Sequence, residues 1–242
     1  MNIVSSTHMG KVRKTNQDYC LTKQLPDGAF AVVCDGMGGA RGGDVASKIA
    51  AEFIGEHVIG AYRESLKPSS LKALLESAVV GANLAVYNAA QQDPNLFGMG
   101  TTAVTALVSG DLLGVVNVGD SRAYLIRGNE ISQLTRDHSY VQTMVEQGKI
   151  TSKQAKSDPR KNIITRALGI EKKVEIDYCE YNLEQGDRIL ICTDGLTNHL
   201  EDSEILNLVL TCPQQTLSEQ LIATANQKGG SDNITVVEIF YE

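Results

Sequence analysis

The sequence predicts an α+β fold, and three observations predict it. Apolar runs of strand length come in blocks joined by short turns, which favours antiparallel pairing. Helical periodicities form blocks of their own instead of alternating strictly with the strands. The chain has 242 residues, 42% of them hydrophobic and 21% charged. A chain of that size removes roughly 70–75% of its unfolded surface from water, enough for a substantial core. No linker-like stretch, internal repeat or low-complexity segment divides it, so one domain over residues 1–242 is expected.

The first clear strand is Phe30-Ala31-Val32-Val33-Cys34. A helix is predicted over 44–64, where Val45, Ile49 and Phe53, then Ile54 and Val58, recur at fours. After Lys67-Pro68-Ser69-Ser70, a second helical period runs through Leu71, Leu74, Leu75, Ala78, Val79 and Ala82. Ser69 or Ser70 is its candidate cap. Strands follow over 103–108, 112–118 and 122–126. Ser109-Gly110-Asp111 and Arg127-Gly128-Asn129 read as hairpin connections. A third helix is predicted near His138, a strand over 188–192, a helix pair over 203–227 and a last strand over 233–240.

Charge and cysteine usage exclude several classes. Twenty-nine acids against 22 bases give a net charge of −7. Broad electrostatic binding to nucleic acid or an anionic membrane is therefore not expected. No apolar run approaches the roughly 20 residues that span a bilayer, and residues 1–18 hold no apolar signal core. The five cysteines are widely spaced and form no C-x-x-C, so neither a zinc site nor a disulfide framework is indicated. Cys34 and Cys192 sit inside apolar runs as core thiols, and a reducing cytoplasm is the expected location.

The chemistry lies in where the aspartates fall. Asp35 follows Ala31-Val32-Val33-Cys34, Asp120 follows Val115 to Gly119, and Asp194 follows Ile189 to Thr193. Asp232 precedes Ile234-Thr235-Val236-Val237, and Asp18 closes Arg13-Lys14-Thr15-Asn16-Gln17-Asp18. Singly, each is an ordinary turn residue. Jointly they place carboxylates wherever an apolar strand meets a loop. After Asp35-Gly36 comes no second strand but Met37-Gly38-Gly39-Ala40-Arg41-Gly42-Gly43, where backbone can approach a ligand closely. Carboxylates sharing one space repel. Hard divalent cations such as Mg²⁺ or Mn²⁺ resolve that repulsion, and a pair of them suits an in-line displacement. Arg13 offers the planar fork that matches phosphate oxygens.

These residues carry a resemblance. The chain resembles the metal-dependent Ser/Thr protein phosphatases of the PPM, or type 2C, family in their compact bacterial form. The resemblance rests on Arg13-x-x-Asn16-Gln17-Asp18, Val33-Cys34-Asp35-Gly36-Met37-Gly38-Gly39 and Gly100-Thr101-Thr102. It continues through 118–124, 134–139 and 164–169, then Cys192-Thr193-Asp194-Gly195-Leu196 and Gly230-Ser231-Asp232-Asn233-Ile234-Thr235. It implies a four-layer α-β-β-α sandwich of two antiparallel sheets. It also implies hydrolysis of phosphoserine and phosphothreonine by a water held between two Mn²⁺ or Mg²⁺ ions. Carried over by position, Asp35 would bridge both ions with the Gly36 carbonyl beside it. Asp194 and Asp232 would hold the second ion, and Asp18 would support the centre. Asp120, with Asp194, would form a third, weaker site, and Arg13 would bind the substrate phosphate. The implied partners are phosphorylated proteins and an opposing Ser/Thr kinase, with the enzyme a monomer.

Two departures matter. Gln17 and Met37 stand where animal members often carry Glu and a proposed general-acid His, and Met cannot donate a proton. His138 and His199 are expected to be structural. Residues 148–161, in what resembles a flap over about 148–168, carry Lys149, Lys153, Lys156, Arg160 and Lys161 against Asp158 alone. Rival readings fare worse. An aspartyl-phosphate enzyme usually wants a second Asp two residues after the first, where Met37 stands. The glycine-rich loop fits no nucleotide-binding pattern. A catalytically inactive, phosphatase-like binding module would not need Asp35, Asp194 and Asp232 together.

Overall fold

The computed structural model describes the backbone of residues 1–242 and the side chains of all but 39–41. Arg41, in the glycine-rich stretch singled out above, therefore has a side chain outside the described residues. In chain order, β1 (Asn2–His8), β2 (Asp18–Leu25) and β3 (Gly28–Met37) lead into α1 (Gly39–Ala61) and α2 (Pro68–Gln92). Next come β4 (Gly100–Thr101), β5 (Ala103–Ser109), β6 (Leu112–Val118), β7 (Arg122–Arg127) and β8 (Glu130–Gln133). Two short helices, α3 (Tyr140–Glu146) and α4 (Ser152–Ser157), precede β9 (Asp177–Asn182) and β10 (Arg188–Cys192). The chain ends with α5 (Asp194–Thr197), α6 (Asp202–Thr211), α7 (Leu217–Gln227) and β11 (Ile234–Phe240).

The strands form two antiparallel sheets. One runs β1-β11-β10-β7-β8 and the other β2-β3-β5-β6-β9, with β4 paired to the end of β3. Strand alternation sorts the side chains into three apolar layers. Phe30, Val32 and Cys34 of β3 face α1 and α2, while Ala29, Ala31 and Val33 face the other sheet. In β11, Ile234, Val236 and Phe240 meet α6 and α7, while Val237 and Ile239 point inward. Helix, sheet, sheet, helix is the four-layer sandwich expected.

Local chemistry explains the boundaries. α2 starts at Pro68 with Lys67 as its cap residue, so neither Ser69 nor Ser70 caps it: proline's fixed φ and missing N–H suit the first helical position. α2 is also long and apolar enough by composition to cross a membrane, with mean hydropathy 1.2. Its apolar residues share a face, however, and Leu71, Leu75, Ala78, Val79, Ala82 and Val86 are fully buried in the layer it forms with α1 and the sheet. Ser139 caps α3 by accepting the N–H of Gln142 at 3.2 Å. α1 begins at Gly39, five residues before the predicted start.

One buried side chain breaks the pattern. Glu238 of β11 is fully buried, on the face where its neighbours Val236 and Phe240 meet the helices, and neither carboxylate oxygen has a partner. Burial raises its pKa to about 8, against a weaker opposing pull from Arg188. The folded state therefore holds a proton that the unfolded state releases near pH 4.5. The stabilisation from that proton is complete below pH 4.5 and is lost as pH rises through about 8. Glu238→Gln should accordingly gain stability over the wild type as pH rises from 5 to 8, by a few kcal/mol at the upper end. Paired urea titrations at several pH values read this directly, and a constant difference would contradict it.

Candidate active site

The alternation that fills the inter-sheet core also builds the site. Ala29, Ala31 and Val33 are followed at the next inward position by Asp35. Asp18 continues the inward position of Cys20 on β2 and lies directly across from Asp35. Thr193 continues Ile189 and Ile191, Thr235 precedes Val237 and Ile239, and Thr102 precedes Val104 and Ala106. At one end of the sandwich, the apolar inner faces thus give way to carboxylates and hydroxyls.

Hydrogen bonds fix this end. Asp18, 7% exposed, accepts through Oδ2 from Thr193 Oγ1 at 2.9 Å and Thr235 Oγ1 at 2.7 Å. That carboxylate joins the two sheets. The N–H of Asp35 donates to Thr102 Oγ1 at 2.9 Å, and its carbonyl accepts from the N–H of Thr102 and the hydroxyl of Thr101. β3 continues straight through Asp35, and Gly36 lets it pass: a Cβ there would lie 1.9 Å from the carbonyl oxygen of Gly43. Asp194 is the first residue of α5, a position at which a helix favours an acid, and its Oδ2 accepts from Asn198 Nδ2 at 2.9 Å. Asp232 Oδ2 accepts from Arg13 Nη2 at 2.7 Å.

A cavity of about 480 Å³ opens here, and Arg13, Asp35, Gly36, Asp120, Asp194 and Asp232 all line it. Asp18, the cross-strand neighbour of Asp35, is not part of the cavity wall itself. All the residues singled out from the sequence therefore meet at one end of the fold. Met37, Lys14, Thr15, Asn162 and Ile164 are also part of the wall. Sequence reasoning did not single out Thr193, Asn198, Asn233 or Asn162 as individual site residues. Thr193 and Asn233 directly flank the marked aspartates, which was the available signal. Neither His138 nor His199 lines this cavity. His138 is buried, accepts the N–H of Gly119 and faces Asp177; His199 bonds Ser231.

Electrostatics leave the site uncompensated. Lost solvation and neighbouring carboxylates raise Asp18 to about 7, Asp120 to about 8 and Asp194 to about 6. The same causes, burial foremost, hold Asp35 well above the usual carboxylate range. Buried Oδ1 atoms of Asp18 and Asp194 have no partner. Among the described residues Arg13 is the one cation bonded to any of these acids, and half of its side chain is in solvent. Among the described residues no three such side chains already close on a single ion. An oxygen-only donor set spread along a wet cavity wall suits a hard divalent cation that keeps several waters and takes one or two carboxylates. The residues present fit such ions.

Residues 7–232 match the family model described as protein phosphatase 2C. The chain belongs to the protein phosphatase 2C family. This phosphatase-family chain is 37% identical over 238 residues to the serine/threonine phosphatase stp of Listeria monocytogenes, covering 96% of this chain and 92% of that one. The crystal structure of serine/threonine phosphatase Stp1 from Staphylococcus aureus matches with a TM-score of 0.93 at 33% identity, over 99% of this chain and 94% of that one. The catalytic domain of serine/threonine protein phosphatase PstP, crystallised with two manganese ions, matches with a TM-score of 0.86 at 34% identity, over 98% and 96%.

Asn233 ties the loop carrying Arg13 to this phosphatase fold. Buried at 4% exposure, it accepts the N–H of Gln17 and donates to the carbonyls of Met9 and Thr15 at 2.9 Å each. Asn233→Ala should cost about 1–3 kcal/mol in urea unfolding, since it leaves three part-buried backbone groups without their partner. A loss below about 0.5 kcal/mol would show that the loop does not depend on it.

Proposed function

We propose that this chain hydrolyses phosphoserine and phosphothreonine monoesters on protein substrates in the carboxylate-lined cavity, with Mn²⁺ or Mg²⁺ as cofactor. It would oppose a Ser/Thr kinase, acting as a monomer in the cytoplasm from a single catalytic domain. The observation that carries the reading is the convergence of four aspartates, only one of them paired with the half-exposed Arg13, on one cavity in a chain of this family. Asp35 with the Gly36 carbonyl, Asp194 and Asp232 would hold two ions, with Asp18 supporting them and Asp120 beside Asp194 serving a weaker third. Once bound, such ions supply charge neutralisation and lower the pKa of attacking water.

The chain's own residues do the rest. Arg13 spends one of its five N–H donors on Asp232, and the remaining donors can grip phosphate oxygens as an anchored fork. Lys14, on the same wall, has no ion-pair partner among the described residues and adds positive potential to the mouth. Thr193 and Thr235 hold Asp18, and Asn198 holds Asp194, so the carboxylates are oriented before any ligand arrives. Met37 lines the cavity but has no proton to give, so the leaving alkoxide must be protonated from elsewhere.

The test is hydrolysis of p-nitrophenyl phosphate and a phosphothreonine peptide, in EDTA and then with Mn²⁺ or Mg²⁺. Turnover should require metal, and Asp35→Asn should lower it by roughly a hundredfold or more. The same variant should melt a few degrees higher than wild type in EDTA, because one charge leaves a crowd of like charges. Metal binding without turnover would instead favour an inactive, phosphatase-like binding module.

A further inference from the structure

A second groove adjoins the catalytic cavity. It has about 490 Å³ and shares Met37 and Ile164 with the cavity as a common wall. Ala167, Ile170 and Val174 add apolar surface, and Lys173 stands at the rim. Ile170 is 45% exposed although it is a large aliphatic side chain. Met37 and Ile170 meet over Gly100: a Cβ there would lie 2.8 Å from Ile170 Cδ1 and 2.9 Å from Met37 Cε. The missing side chain at Gly100 lets the two apolar groups come together as a floor.

The groove is held open by dedicated bonds. Its wall is a segment without regular secondary structure, which would ordinarily be loose. Yet Leu168 is fully buried and pairs with Thr101 at the edge of the catalytic strands. Asn83 reaches out of α2 at 1% exposure, donates to the carbonyls of Glu171 and Lys172 at 3.0 and 3.2 Å, and accepts the N–H of Gly169 at 2.8 Å. Arg166 is occupied by Glu175 at 2.9 Å and Asp177 at 2.7 Å. Arg166 and Glu175 thus neutralise each other at the border of the groove, Glu171 and Lys173 stay at its exposed edge, and Met37, Ile164, Ala167, Ile170 and Val174 leave an apolar surface for a ligand.

We propose that this groove is a specificity subsite that takes an apolar side chain of the phosphoprotein substrate, close in sequence to the phosphorylated residue. The inference rests on the phosphatase reading above and adds a substrate preference to it. Continuity decides the occupant. A substrate chain that leaves the cavity past the shared wall of Met37 and Ile164 enters this groove, and an extended chain advances roughly 3.3 Å per residue. A residue one to three places away is therefore the first group to meet the groove. A pre-shaped apolar site selects by burial: a leucine or phenylalanine gains roughly 1.5–3 kcal/mol over an exposed position.

The experiment compares kcat/KM for phosphothreonine peptides bearing Leu, Phe, Ser or Asp at each position from −3 to +3, with p-nitrophenyl phosphate as a substrate that cannot reach the groove. Wild type should favour Leu or Phe over Asp at one position by about tenfold or more. Ile170→Glu should abolish that preference and leave p-nitrophenyl phosphate turnover unchanged, and Ile170→Leu should restore it. Equal rates on all peptides, or a preference unchanged in Ile170→Glu, would overturn the subsite alone. Failure of the wild type to hydrolyse even p-nitrophenyl phosphate with metal would overturn the phosphatase reading and the subsite with it.

Discussion

The contact between Asp18 and two threonine hydroxyls, Thr193 and Thr235, is the one on which the site depends. It connects β2 of one sheet to the ends of β10 and β11 in the other. Most of the layer between the sheets is built of small and branched apolar side chains, which are indifferent to the exact approach of one sheet to another. The hydroxyl pair is directional, so it sets how the carboxylate-bearing edges face each other. Thr193 also accepts the N–H of Thr235, and Thr235 shares a hydroxyl contact with Thr7 of β1. The two sheets therefore open onto one cavity with fixed walls.

That construction sets stability against function. Four partly or fully buried carboxylates share a small volume with one half-exposed arginine. The fold tolerates them because the apolar layers are extensive. The same repulsion that raises their pKa values is the driving force for cation binding. The basic segment over 148–161 contributes less free charge than its composition suggests. Lys156 pairs with Glu201 and Arg160 with Asp158, leaving Lys149, Lys153 and Lys161, which donates to the neutral amide of Asn198, without ion-pair partners among the described residues.

Much of this was legible in the sequence because it rests on short-range rules. β6 and β10 match their predicted bounds, and α6 and α7 match the predicted helix pair to within one residue, since these segments have clean apolar periods and glycine or aspartate boundaries. The edge strands β1 and β2 carried no such signal: Asn2–His8 is mostly polar and half-exposed. Asp35 and Asp194 read as strand-end residues, whereas the structure runs β3 on past Asp35 and starts α5 at Asp194. What the sequence could not carry was pairing across distance. Nothing local says that Asp18 meets Thr235, 217 positions away, or that Asn83 clamps Gly169.

The most direct test of the account is the melting temperature of the protein in EDTA and across a titration of Mn²⁺ at fixed ionic strength. If the aspartates form a site that only a divalent cation completes, the midpoint should rise by several degrees. It should keep rising with the logarithm of Mn²⁺ concentration above the dissociation constant. It should also fall back when EDTA is restored. A midpoint indifferent to Mn²⁺ up to millimolar concentration would mean that the carboxylates are compensated within the chain and that the cavity is not a metal centre.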